Sequence, residues 1–512
     1  MTDVVVIGAG VNGLACALAL ANAGRKVVVV EKRATVGGLA AARSLDGGFT
    51  IPGIRHDSDA ISWDAARALG LLQHGLARVD APPVFASSSE GRGLLLHRDP
   101  ARAREELAAL SPDDADAYAA HRALLDRARD VVVALAGREP PPIVPRDARG
   151  FFEWARAGLA AHALSRSDTE QLLRAIPMSV DDYTRERFSH PLVSSTIALP
   201  GVLGDFAGPR SPGTAGVLLW HEAQRGDAVR GGPAAVVNAL SRALASHGVV
   251  VRTERAVSSI LVDGRRARGV TLVDGETIAS DVVVGSCDPV HVLGDLVPPL
   301  SFEARVDAAV RAIRGRGTAA KLHLGLSRPL TWRARPTERF ARVSIAEHTD
   351  EIERAFDDVK YGRAAARPVL DVSVPSVDDP SCAPPGGETV SVVVGGVPFA
   401  PRAPFTDAAR AALVERALDV LETHAPGTRD SVVARELLTP DDLRAEFALS
   451  GGSLFHVERA LDQLLFMRPA RPFARATTPL PGLFLGASGS HPGPGVSLLP
   501  GLLAARAVLS SS

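Results

Sequence analysis

The chain is poor in the residues that build covalent or metallic cross-links. Cysteine occurs only at Cys16, Cys287 and Cys382, with no C-x-x-C among them. That excludes a dithiol redox centre of the usual spacing and supports neither a disulfide framework nor a cysteine zinc site. Cys16 falls in a helical pattern and reads as a small buried residue. Lysine is almost as scarce: Lys26, Lys32, Lys321 and Lys360 are the only ones, and arginine supplies the remaining positive charge. We read this as the bias of a GC-rich coding sequence, not as a phosphate-binding device. A net charge of −1 leaves no basic surface, so no nucleic-acid partner is expected. No apolar run approaches the ~18–20 residues that span a bilayer. The sequence enters a strand pattern almost at once, so no signal peptide is expected. A cytoplasmic location follows as an expectation, one compatible with contact at a membrane surface.

What the chain does contain is concentrated at its two ends. The stretch from Val4 to Glu31, VVVIGAGVNGLACALALANAGRKVVVVE, is an apolar run, a glycine turn, a helical pattern and a second apolar run ending in an acid. Gly8, Gly10 and Gly13 fit G-x-G-x-x-G: the first permits the turn, the second admits a pyrophosphate, and the third lets helix and strand pack closely. Phosphates then sit at a helix N-terminus, where free N–H groups and the dipole favour negative charge. Glu31 stands at the tip of the second strand, where a carboxylate accepts hydrogen bonds from ribose hydroxyls. A lone glycine triplet is weak evidence; the flanking strand, helix and acid make it a dinucleotide site. Gly37 and Gly38 follow and let the backbone approach a ligand on the first loop. Arg55, His56 and Asp57 lie in the next loop, either solvated or facing that ligand.

At the other end, Gly482-Leu-Phe-Leu-Gly-Ala-Ser-Gly-Ser-His491-Pro-Gly-Pro-Gly495 precedes a helical pattern from Val496 to Leu509. Two strand, glycine-loop, helix units at opposite ends suggest one long ligand held at both. FAD fits, with its pyrophosphate on the first loop and its isoalloxazine against the last.

Between these ends, residues 60 to 225 read as mainly helical. Ser111-Pro112-Asp113-Asp114 starts a helix that continues to about Ala136. Phe151, Phe152 and Trp154 cluster in a chain only 4% aromatic; such a cluster usually belongs to a core, and otherwise to a lid or a membrane-facing patch. Residues 249 to 285 alternate apolar and polar around two Asp-Gly turns, at 263–264 and 274–275, which predicts an antiparallel meander followed by a buried strand at Val282–Val284. A helix is expected from Arg230-Gly231-Gly232-Pro233 to about His247. Strands are expected at Ala320–Leu326, Val369–Val374 and Val390–Val394, with helices from Thr406-Asp407 to His424 and from Pro440-Asp441-Asp442. At 512 residues the length suits several domains. The expected fold class is α/β: a Rossmann-like FAD-binding domain, with a parallel sheet and a meander, formed by 1–75, 225–300 and 476–512. A mixed α+β substrate domain is inserted as 76–224 and 301–475.

The order of motifs resembles the phytoene-desaturase and carotenoid-isomerase-like group of FAD oxidoreductases, especially the branch of pyridine nucleotide-disulphide oxidoreductase domain-containing protein two. The pieces that carry it include the N-terminal stretch through GGLA, GIRHD, FAGPRSPGTAGVLLWH, VRGGPAAVVNAL, VPSVDDPSCAPPG, SGGSLFHVERALDQLLFMRP and SGSHPGPGV. They span nearly the whole chain. The resemblance implies that Gly8, Gly10, Val11, Asn12, Gly13, Glu31, Lys32, Gly37, Gly38 and Leu39 hold the ADP half of FAD. It also implies that Val257 contacts the adenine through its backbone, and that Gly489, His491, Pro492, Gly493 and Val496 lie along the flavin, with His456 nearby. There are departures. Ala487-Ser488 replaces the Gly-Asp of many flavin enzymes, Leu39 replaces a frequent Arg, and Ser453 stands where Asn is common.

The implied chemistry is hydride transfer between a hydrophobic, polyene, isoprenoid or lipid-like substrate and flavin N5. His491 and His456 are the candidate catalytic groups, as general base or flavin-orienting residues, against a structural reading of each; His190, His221 and His323 read as structural. No metal-ligand cluster is seen. Alternatives are a redox-neutral FAD isomerase or saturase of a similar substrate, and a low-turnover regulatory flavoprotein. The electron acceptor is left open.

Overall fold

The computed structural model describes residues 2–145, 147–162 and 164–511. The first strand, β1 (Val4–Ile7), is buried along its whole length. It pairs in parallel with β2 (Val27–Val30) on one side and with Val283–Gly285 on the other. Helix α1 (Val11–Asn22) makes the crossover between β1 and β2. The complete parallel sheet has the order Leu483–Leu485, Val283–Gly285, β1, β2, Val250–Arg252. Both faces of this sheet are covered, which is why its strands read as unbroken valine runs. Val4, Val6, Val27 and Val29 pack against α1, the helix Gly232–Ser246 and the helix Leu499–Ser510. Val5, Ile7, Val30 and Val283 face the meander residues Ile260, Val270 and Leu272. That meander, Val257–Asp263, Arg266–Leu272 and Thr277–Ala279, is antiparallel and turns at the two Asp-Gly pairs, as the alternation implies.

A second sheet has seven strands in the order Val432–Leu438, Ala319–Leu326, Glu388–Gly395, Leu370–Ser373, Arg342–Ile345, Val84–Ser87, Gly93–Leu96. One face carries Leu322, Leu324, Val390, Val392 and Val372 and packs on Leu413, Leu418 and Leu421 of the helix Asp407–His424. The other face is polar although it is buried. In register across it lie Lys321, Val393, Asp371 and Ser344, and Lys321, His323 and Ser391 are at most 1% exposed.

Three expectations change. The hairpin Val84–Ser87 and Gly93–Leu96 lies inside a region expected to be helical. Its strands are only four residues each, and one of them pairs in parallel with Arg342–Ile345, far along the chain. Phe85 stacks on Phe340 with ring centres 3.9 Å apart and anchors that pairing. The aromatic cluster on Ala148–Ala161 is not core: Phe151 and Phe152 are 67% and 65% exposed, and Trp154 meets Phe466 at a tilt of 35° with ring centres 5.6 Å apart. The last helix begins at Leu499, not Val496, because Leu498 adopts a left-handed φ of 68°. The Gly493 and Gly495 segment is therefore an extended loop, not the first turn of a helix.

Candidate active site

Between the two glycine loops runs a cavity of about 300 Å³. From the first loop it is lined by Gly8, Gly10, Val11 and Asn12, from the tip of β2 by Glu31 and Lys32, and from the following turn by Gly37, Gly38 and Leu39. Val257 of the meander, His456, Ser488, Gly495 and Val496 complete it. Each glycine of the first loop has a distinct reason to be there. Gly8 has φ 96°, which favours glycine. A Cβ at Gly13 would lie 2.1 Å from the Gly8 carbonyl oxygen, so only glycine lets the helix sit this close to the strand. A Cβ at Gly10 would meet nothing within 4 Å: the space beside it is open, as a ligand backbone requires. The Gly37 N–H donates to the Ala9 carbonyl at 2.7 Å, which holds the paired glycines against the first loop.

The Glu31 carboxylate is fixed by two backbone donors, Ala9 N–H at 2.8 Å and Arg33 N–H at 2.9 Å. Each oxygen keeps a lone pair for a ribose hydroxyl. The two ends of the chain meet directly. Asn12 Nδ2 donates to Ser488 Oγ at 3.0 Å, and a Cβ at Gly501 would lie 2.0 Å from the Asn12 carbonyl oxygen. Ser488 stands where many flavin enzymes carry an acid. Here its hydroxyl ties the last loop to α1, while Asn12 Oδ1 is buried and has no partner among the described residues.

The remaining histidines and loop residues divide. His456 borders the cavity with Nδ1 unpartnered among the described residues, and burial, then Arg468 and Arg55, push its pKa down to about 3. The ring is therefore neutral. Wholly buried Arg468 links this loop to the last one, donating to the carbonyls of Phe455 and Ser488, each at 3.1 Å. His491 points elsewhere. Its Nε2 donates to the Leu135 carbonyl at 3.1 Å, and burial lowers its pKa to about 4. It lines a small void with Glu139 and Arg475 instead of the large one. Pro492 presents its carbonyl to Trp220 Nε1 at 3.4 Å. Gly489 is pressed against Pro289, and Gly493, with φ 132°, lies near His221 and Arg468. His190 caps the helix Pro191–Ala198.

Beyond Arg55, Leu454 and Gly495, which border both, lies a second cavity of about 120 Å³. It shares residues with a third of about 450 Å³. Their common wall includes His56 and Asp57 of the loop and Arg342 of the large sheet. His56 bridges two strands: Nδ1 accepts from Lys321 Nζ at 2.7 Å, and Nε2 donates to Asp371 at 3.2 Å. Burial and Lys321 push His56 down to about 4, and burial lowers Lys321 to about 7. Burial opposes ionisation of Asp371, but Arg342, which grips it through two 2.8 Å hydrogen bonds, and His56 hold its pKa well down. Arg342 also pairs with Asp57. His221, read from sequence as structural, borders this cavity with Nε2 unpartnered among the described residues. Lys321, Asp371, Arg342 and Arg468 carry no local sequence signal.

The family model for flavin-containing amine oxidoreductases matches residues 12–509. Mouse pyridine nucleotide-disulfide oxidoreductase domain-containing protein 2 is 29% identical, over 99% of this chain and 93% of its own. Lycopene-forming phytoene desaturase of Pseudescherichia vulneris is 26% identical, over 100% and 99%. Among solved structures, a triple mutant of putrescine oxidase shares the fold with a TM-score of 0.62 at 16% identity, covering 100% of this chain and 99% of that one. Among the described residues no helix is long and apolar enough to cross a membrane. An open glycine cradle, a poised carboxylate and two chain ends closed on one cavity fit FAD, and the chain belongs to the flavin-containing amine oxidoreductase family of FAD-dependent oxidoreductases.

Proposed function

We propose that the protein is a dehydrogenase that removes a hydride from a C–H bond of a largely apolar, isoprenoid- or lipid-like substrate. The observation that carries this reading is the junction at Arg55, Leu454 and Gly495, where the coenzyme cavity and the cavity beyond it share a wall. When bound, FAD accepts the hydride at N5. Segments 1–75, 225–300 and 476–512 hold the coenzyme, and 76–224 and 301–475 hold the substrate. Glu31 accepts the ribose hydroxyls, the Gly8–Gly10 turn seats the pyrophosphate, and Val257 meets the adenine. Val496 lies along the flavin. His456 supplies a neutral ring to the flavin edge, while His491 orients the last loop through Leu135. The apolar residues Val84, Leu199 and Leu203 of the second cavity exclude water from the reacting carbon. The desaturase relative supports an isoprenoid substrate.

The test is anaerobic mixing of the FAD-loaded protein with isoprenoid and lipid candidates, followed by the flavin absorbance near the visible maximum and by product analysis. Bleaching with formation of a new double bond supports the reading. A product changed only in geometry, with no net reduction, identifies the isomerase instead, and no bleaching by any candidate refutes it.

A further inference from the structure

The third cavity contains a guanidinium without a hydrogen-bond partner among the described residues. Arg98 donates to Asp59 at 2.6 Å, and Arg225 reaches Asp59 and Glu222, each at 2.9 Å. Arg122, on the helix Pro112–Ala136, lines the same void. Its side chain is 11% exposed, it makes no hydrogen bond among the described residues, and its Nε is buried without a partner. Its ion pair, Asp126, stands 3.6 Å away and is 61% exposed, so solvent weakens the attraction. Of these three guanidiniums, Arg122 is the one that no carboxylate hydrogen-bonds among the described residues. The other ionic groups of the cavity wall are closed on one another: Arg342 with Asp57 and Asp371, and His56 between Lys321 and Asp371. Asp379 accepts from Ser381, and Asp80, Asp378 and Arg230 are solvent-exposed. Arg55 also has an unpartnered Nε, but it borders the coenzyme cavity as well and does not separate coenzyme from substrate.

A buried guanidinium whose donors lack a hydrogen-bond acceptor is costly, and the cost is removed when a ligand supplies a charged acceptor. A single guanidinium with unfilled donors suits one singly charged acceptor. A carboxylate is such an acceptor at neutral pH, whereas a phosphate monoester carries close to two charges. Leu96 and Ile197 line the same cavity and offer it apolar surface. We infer that the substrate is an amphiphilic carboxylic acid whose carboxylate docks on Arg122 in the third cavity, while its chain runs over Ile197 and Leu199 toward the flavin loops.

This inference rests on the dehydrogenase reading for the direction of the chain, but its test is a binding measurement that needs no turnover. FAD-loaded protein is titrated calorimetrically with decanoate, hexadecanoate and farnesoate, each beside its methyl ester. At least one acid is expected to bind about 30-fold tighter than its ester. Arg122→Gln should abolish that preference and Arg122→Lys should keep part of it, both with unchanged flavin content. Ester and acid binding alike to the wild type, no acid binding at all, or a preference that survives in Arg122→Gln would each overturn it. Failure of the dehydrogenase reading appears separately, as a flavin that no bound acid bleaches.

Discussion

Replacing Lys321 by Met should stabilise the protein, and the gain should shrink as pH rises. Lys321 is 0% exposed, and burial, opposed by Asp371 and Asp57, lowers its pKa from 10.5 to about 7. A base whose pKa falls on folding is protonated over a wider range in the unfolded chain. Between about pH 7 and 10.5 the unfolded state binds more protons, so wild-type stability rises with pH across that window. Below it the full penalty applies, roughly 5 kcal/mol for a shift of this size. Met removes that penalty but leaves the buried Nδ1 of His56 without its donor, which costs about 1–3 kcal/mol. The expected net gain is therefore roughly 2–4 kcal/mol near pH 6, declining by about 1.4 kcal/mol per pH unit above pH 7 and reversing sign between about pH 8.5 and 10. Urea denaturation of the two FAD-loaded proteins, followed by far-ultraviolet circular dichroism from about pH 6 to 10, measures this. A difference that stays constant with pH, or a wild type that is the more stable at pH 6, would refute the reasoning.

Other outcomes follow from single contacts. Gly13→Ala places a methyl group 2.1 Å from the Gly8 carbonyl; the forced shift of about 1–3 kcal/mol should weaken FAD binding about 10–100-fold in a fluorescence titration. Arg459→Met strips the buried Asp205 carboxylate of the guanidinium 2.7 Å away and should cost about 3–5 kcal/mol in urea denaturation, whereas an effect below about 1 kcal/mol would show that the pair is dispensable. Phe151→Ser and Phe152→Ser, at exposed positions, should each alter stability by no more than about 0.5 kcal/mol; a larger loss would mean that the rings are packed.

The parts of the fold visible in the sequence are those whose determinants are local. Gly8, Gly10, Gly13 and Glu31 set one β-α-β unit within a short stretch, and two Asp-Gly turns fix the meander. The hairpin at Val84–Leu96 is not legible locally, because its four-residue strands are stabilised by partners more than 200 positions away, Phe340 and Val343. The cavity beyond the coenzyme was only half legible. The loop Arg55-His56-Asp57 invites attention as three polar residues in a row, but its partners come from strands where they alternate with valine and leucine. Lys321 and Asp371 read as the outward-facing positions of half-buried strands. Only the register that sets both beside Val393 brings them under His56. His491 has the converse history: its setting among glycines suggests a flavin contact, yet its bonding partner is the Leu135 carbonyl on a distant helix.

The direct measurement of whether both chain ends grip one coenzyme is the FAD content and affinity of the purified protein alongside one variant at each end. The wild type should carry about one FAD per chain, released on denaturation and identified by mass. Gly10→Val, which fills the open space beside the first loop, and Gly495→Val, at a position with φ 126°, should each lower FAD affinity by about 10-fold or more. A colourless protein that takes up no FAD on reconstitution, or a Gly495→Val variant with unchanged affinity, would contradict it.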